Sequence, residues 1–208
     1  MMRRYPTAVW GVGVWSVAGA ALAFFERTLW DAIWILTLGL WALYAAVGVV
    51  LFALITWRGW RRARLAGTLR AGGAMLVLEV TLVLGLPYVS AAGDEFQFAR
   101  RFERLKPQYE AIVAQVVAAP DVRGKSAGVP FDVDAGPPRR VAFPQPGGIT
   151  DNWEGVVWDP TGVVQSATGW RDGIPGRYTA TPEAKRLFGG DLLACRHVVD
   201  DFYRCWFT

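Results

Sequence analysis

The chain has 208 residues, 53% of them apolar and 11 of them tryptophan, with a formal net charge of +4; an apolar share this high lies outside the usual range of a soluble domain. The charge is unevenly placed: residues 1–93 carry 8 Arg against 3 acids, and residues 94–208 carry 14 Lys plus Arg against 15 acids. The basic excess therefore belongs to the hydrophobic half, and it is no argument for a nucleic-acid partner.

In chain order, three apolar runs come first, over residues 7–25, 29–57 and 74–92. Each meets the ~18 to 20 residues that an α-helix needs to cross a bilayer core, so the pattern predicts three transmembrane helices forming an anchor over residues 1–93. Arg3 and Arg4 precede the first run, and Arg58, Arg61, Arg62, Arg64 and Arg70 crowd the loop after the second. The short connection between the first two has only Arg27, beside Glu26 and Asp31. The positive-inside rule then puts the N-terminus and the arginine loop in the cytoplasm and everything after residue 92 outside, in a bacterial inner membrane with a periplasmic C-terminal domain. Topology accounts for the arginines without a special lipid or nucleic-acid site. The start of the chain, MMRRY with an apolar run and Ala21-Leu22-Ala23, also has the outline of a cleavable signal peptide, although two tryptophans and three glycines make a poor core for one.

Two features within these runs invite attention. Ser16 and Ala20, Gly19 and Ala23, and Ala42 and Ala46 place small residues four apart, which lets helix backbones approach closely, within the bundle or in a dimer. Glu79 is an ionisable residue well inside an apolar run, where a carboxylate costs roughly 2.5–3.5 kcal/mol on insertion scales. It is expected to be protonated or paired, with a structural or partner-binding role.

Beyond Gly93-Asp94-Glu95, which has the composition of a helix start, Phe98, Phe102, Leu105, Tyr109, Ile112 and Val116 recur at alternating four- and three-residue intervals. This predicts an amphipathic helix that packs one side on a domain core; Pro107 argues against a coiled coil. Residues 120–148 are dense in Pro and Gly and predict only short strands, such as 140–143. EGVVWDPTGVVQSA reads as strand, turn, strand, with Asp159-Pro160-Thr161-Gly162 suited to a type I turn. TPEAKRLFGG predicts a short helix started by Thr181 and Pro182 and ended by Gly189. LACRHVV and FYRCWF predict a closing hairpin. Residues 94–208 are thus expected to be an α+β domain with an N-terminal helix on a small antiparallel sheet.

The site chemistry is sparse. Asp132, Asp134, Asp151, Glu154 and Asp159 fit neither a calcium loop nor a catalytic carboxylate pair, and nucleophile-elbow, phosphate-loop and HExxH motifs are missing from the sequence. His197 is the single histidine, and its spacing from the cysteines matches no common zinc pattern. With residues 199–201 as the hairpin loop, Cys195 and Cys205 face one another, at the ~4.5 Å Cα separation of a non-hydrogen-bonded pair. Two thiols so placed in an oxidising compartment predict a structural disulfide. No enzyme, cofactor or metal is expected; a protein partner and the lipid bilayer are, with Trp153, Trp158 and Trp170 as candidate contacts and Glu79 as a further one.

The segment DNWEGVVWDPTG, followed by LFGGDLLACRHVVDDFYRCWFT at the end of the chain, resembles the C-terminal signature of an uncharacterised family of small proteobacterial inner-membrane proteins. The resemblance covers about residues 150–208, with Asp151, Asn152, Trp153, Asp159, Gly162, Asp191, Cys195 and Cys205 as motif positions. It implies immunity proteins that shield the periplasm from secreted antibacterial effectors. This chain differs in having three apolar runs where a single anchor is usual. An alternative expectation is a structural subunit of a secretion, respiratory or photosynthetic membrane complex, making its contacts through the helices.

Overall fold

A computed structural model describes residues 6–33, 35–62, 64–119, 124–126, 128–145, 152–167 and 181–208. The chain divides into two compact units, Met1–Arg101 and Phe102–Thr208.

The first unit is helical: α1 (Pro6–Phe24), α2 (Glu26–Ile33), α3 (Ile35–Arg62) and the first part of α4 (Arg64–Ala118). The expectation of three transmembrane helices is not borne out. Among the described residues one stretch, Leu36–Arg58 in α3, is long and apolar enough to cross a membrane, with mean hydropathy 2.4 over 23 residues. The apolar stretch of α1, Trp10–Phe24, is shorter than a span requires. The third run, 74–92, is not a helix of its own, because α4 continues unbroken for 55 residues. Hydropathy registers an apolar run but not whether the helix that contains it ends there. Gly93-Asp94-Glu95, expected to start a helix, lies inside α4.

Gly93 explains part of that continuity. It is buried, and a Cβ at this position would stand 2.1 Å from the carbonyl oxygen of Phe24, so its missing side chain serves a close helix approach and not a helix cap. Ser90 Oγ donates to Glu26 Oε2 at 2.7 Å and Gln97 Nε2 donates to the Phe24 carbonyl at 2.7 Å. These contacts bring α4 back to the end of the unit where α1 gives way to α2, the Leu36 end of the apolar helix. Between α1 and α3, the Trp15 indole stacks on Tyr44 with centroids 4.7 Å apart and donates from Nε1 to the Tyr44 carbonyl at 3.2 Å. A Cβ on Gly19 would stand 2.2 Å from the Tyr44 hydroxyl, and one on Gly48 2.6 Å from the Trp15 ring. Small residues here admit aromatic side chains from a neighbouring helix of the same chain.

The second unit contains the C-terminal part of α4 and an antiparallel sheet: β1 (Gly124–Ser126), β2 (Val129–Asp134), β3 (Arg140–Pro144), β4 (Trp153–Trp158), β5 (Arg186–Leu187), β6 (Gly190–Val199) and β7 (Phe202–Phe207), in the order β1-β2-β3-β4-β7-β6-β5. The chain meanders to β4, leaves the sheet, and returns through α5 (Pro182–Lys185) so that β7 pairs with β4. Strand alternation gives the sheet two faces. Val141, Phe143, Val156 and Phe202 line one; Tyr109 of α4 stacks on Phe143 at 4.3 Å and Phe102 meets Phe202 edge-on at 5.7 Å. Ala142, Val157, Tyr203, Cys205 and Phe207 line the other, and form a buried cluster with Val164, Ala167, Ala184, Leu187 and Leu192. The predicted amphipathic stripe does face a core, with Phe102, Tyr109, Ile112 and Val116 all buried.

Candidate partner-binding site

Cys195 and Cys205 are directly opposed in β6 and β7 and are joined by a disulfide, with Cα atoms 4.2 Å apart. The pairing holds although the loop is tighter than expected. Val199 pairs with Phe202, leaving Asp200 and Asp201 as a two-residue turn, and Asp200 takes φ 50°. A turn that short would by itself move Cys195 out of register by one residue. An irregularity between His197 and Val199 absorbs the shift. His197 is exposed; its Nε2 lies 2.8 Å from the Asp200 carbonyl oxygen and its ring meets Tyr203 edge-on. It belongs to the turn, on the strand that carries the disulfide.

The Asp-Pro-Thr-Gly stretch forms the expected turn. The Gly162 amide donates to the Asp159 carbonyl at 3.2 Å, and Gly162 takes φ 69°. Asp159 is fully buried. Its Oδ1 accepts from Arg140 Nε at 3.0 Å, the Thr161 amide at 3.1 Å and the Thr161 hydroxyl at 2.7 Å, and its Oδ2 accepts from the Val164 amide at 3.0 Å. Burial alone would push this carboxyl up. The Thr161 hydroxyl, the Val164 and Thr161 amides and the Arg140 charge outweigh it and hold the carboxyl below the usual aspartate range. The Val164 bond also explains a departure from the sequence pattern. Residues 163–166, expected as a strand, form a 3-10 helix whose Val164 amide is held by the Asp159 carboxylate.

A second buried pair sits on the helix-facing side of the sheet, where Arg204 Nε donates to Glu154 Oε1 and its guanidinium lies 5.1 Å from the Trp206 ring centroid. Arg140 and Arg204, which sequence patterning leaves among ordinary strand residues, thus hold the internal electrostatics of the unit. The signal available in the sequence was an arginine at an inward position of a short apolar strand.

The candidate contact residues do not converge. Trp153 and Trp158 start and end β4 on opposite faces. Trp153 is half-buried and stacks on Phe207 at 3.9 Å, against the cluster that includes the disulfide. Trp158 is half-buried on the other face, in a cleft of about 420 Å³ with Val117, Pro137, Pro138, Arg139 and Pro160. Arg139 fixes one wall by donating from Nη1 to the Val116 carbonyl at 3.1 Å. Trp170 and the motif residue Asp151 lie outside the described residues; Glu79 belongs to α4, but its side chain is outside them too. Asn152 is exposed, and Asp191 exchanges backbone hydrogen bonds with Thr208 at 2.9 and 3.0 Å. Among the described residues no group of three or more His, Cys, Asp or Glu is placed to hold a metal ion. Compared with known proteins, the chain matches no family model, no curated protein and no solved structure.

Proposed function

We propose that this is a non-enzymatic protein of a bacterial inner membrane whose second unit binds a protein partner in the periplasm. Its most concrete form is an immunity protein that neutralises a secreted antibacterial effector. The observation that carries partner binding is the Trp158 cleft. Its wall of indole, three prolines and Val117 is stiff, apolar and open, and aromatic anchors in such settings dominate protein–protein affinity. Trp153 makes the weaker contact candidate, since its ring is engaged with Phe207.

Three observations support placement outside the cytoplasm. A disulfide between opposed strands suits an oxidising compartment. The arginine-rich residues 58–70 favour the cytoplasm for one end of Leu36–Arg58. At the other end of that stretch, Ser90 and Gly93 of α4 meet Glu26 and Phe24.

The test is protection or binding by the full chain against the product of an adjacent effector gene. Trp158→Ala is expected to weaken binding at least ~30-fold, the scale of a hot-spot residue at about 2 kcal/mol, with the thermal midpoint little changed. Unchanged affinity would remove the cleft from the interface. Residues 94–208, exported alone, separate this function from that of a membrane-complex subunit. Full protection by the exported piece excludes a role carried by the helices.

A further inference from the structure

The helical unit has a cleft of its own. About 750 Å³ in volume, it is walled by Glu26, Arg27 and Trp30 of α2, Trp41 of α3, and Ser90 and Asp94 of α4. Its floor is fixed by the Ser90–Glu26 hydrogen bond at 2.7 Å and by the contact of Gly93 with Phe24. Its position is set by the chain. α2 immediately precedes the apolar stretch Leu36–Arg58, and Trp41 lies five residues into it, about 7.5 Å along the axis at 1.5 Å per residue. With Leu36–Arg58 in a bilayer, the cleft therefore straddles the boundary between acyl chains and headgroups, with Trp30 and Trp41 at the depth where indoles are best solvated. Apolar wall from Leu86, Pro87 and Ala91 continues toward the bilayer interior.

We propose that this cleft binds the headgroup of a phospholipid carrying a primary ammonium, of the phosphatidylethanolamine type. The lining holds one cation, Arg27, and two acids, Glu26 and Asp94. A zwitterion with an inner phosphate and an outer ammonium complements that set: phosphate toward the guanidinium, ammonium toward the carboxylates and the Ser90 hydroxyl. An anionic glycerol headgroup would bring a phosphate to two carboxylates with no cation of its own. A trimethylammonium has the charge but none of the N–H donors that carboxylates accept. The proposal rests on Leu36–Arg58 being membrane-embedded and is independent of any protein partner.

Native mass spectrometry of the full chain, purified in detergent and delipidated, tests it by titration with phosphatidylethanolamine, phosphatidylcholine and phosphatidylglycerol of identical acyl chains. One phosphatidylethanolamine should be retained at least ~10-fold more tightly than phosphatidylglycerol and several-fold more tightly than phosphatidylcholine, consistent with one or more charge-assisted hydrogen bonds. Asp94→Asn, which leaves the Glu26–Ser90 bond in place, should cut the preference several-fold, and Glu26→Gln combined with Asp94→Asn should abolish it. Equal retention of the three lipids by the wild type overturns the proposal, and so does a preference unchanged in Asp94→Asn. A chain released from membranes by alkaline carbonate, without detergent, would sink the membrane-embedded reading and this site with it. An integral chain indifferent to headgroup sinks the site alone.

Discussion

Asp159 shows how much one side chain holds in the second unit. Its carboxylate neutralises a buried arginine and accepts from the Thr161 and Val164 amides, tying the turn to the 3-10 helix that follows. Asp159→Asn preserves the shape but leaves Arg140 short of its closest counter-charge, and removing one partner of a buried pair costs about 3 kcal/mol. Thermal unfolding of the variant in detergent should show that loss as a clearly lowered midpoint. The same residue sets an acid limit. Because its folded pKa lies below the unfolded value of about 3.9, the unfolded state binds more protons between the two, and stability rises with pH in that window. The contribution is complete above the unfolded value and disappears as pH falls through the folded one. A stability–pH profile should therefore lose part of its acid-side slope in Asp159→Asn. A profile with the wild-type slope would show that other carboxyls govern acid unfolding. Exposed Asp200 behaves differently: it holds Lys106 at 2.9 Å and pushes the amine pKa up, yet a pair this open to solvent adds little stability.

At the scale of elements, the hairpin and the long helix give opposite lessons. Cys195 and Cys205 are separated by 10 residues, so the disulfide closes a short loop and is worth roughly 2.5–3 kcal/mol in the chain-entropy account. Guanidinium unfolding of the Cys195→Ala/Cys205→Ala variant should show a loss of that order, and peptide mapping without reductant should recover the 195–205 bridge. The bridge was legible in the sequence because strand pairing is a counting problem and the bulge near Val198 restores the count that the tight turn upsets. The Asp-Pro-Thr-Gly turn was legible for the same local reason. What followed it was not: the Val164 amide is captured by a carboxylate five residues back, and strand propensity in Val163-Val164 gives no hint of that. The continuity of the long helix is not legible in the sequence, for a non-local reason. Gly93 next to two acids has the composition of a helix boundary, yet its role is tertiary, a close approach to the Phe24 backbone that no local pattern encodes. Gly93→Val therefore has a definite expected effect. A branched side chain has no room beside that carbonyl, and α4 must move away from α1 or the unit must unfold. Lowered thermal stability with the Cys195–Cys205 bridge intact would place the damage in the first unit. A wild-type midpoint would show the helices to be less tightly apposed there.

At the scale of the whole molecule, charge and chain path give the argument for orientation. The excess of 8 Arg over 3 acids lies wholly in residues 1–93, and five of those arginines fall between 58 and 70. One candidate span fixes two ends, Leu36 and Arg58. In the orientation proposed above the arginines favour the cytoplasm for the Arg58 end, because lysine and arginine next to a span resist translocation. Where the C-terminal unit goes then depends on which end the chain leaves from. Hydropathy cannot decide this, since among the described residues it recognises one helix and not the return. The hydrogen bonds of Ser90 and Gln97 to Glu26 and Phe24 support the proposed orientation: by residue 90 the chain is again at the Leu36 end. A disulfide in the residues that follow is the chemistry expected on that side. A reporter active only in the periplasm, fused after Thr208, should therefore be active, and the same reporter placed at Gly67 should be silent. Activity at both sites would mean that the arginine-rich residues 58–70 have been translocated and that arginine bias does not govern this chain. Silence at Thr208 with activity at Gly67 would invert the topology, and the disulfide would then have to survive in a reducing compartment. In that case thiol labelling in intact cells should find Cys195 and Cys205 reduced.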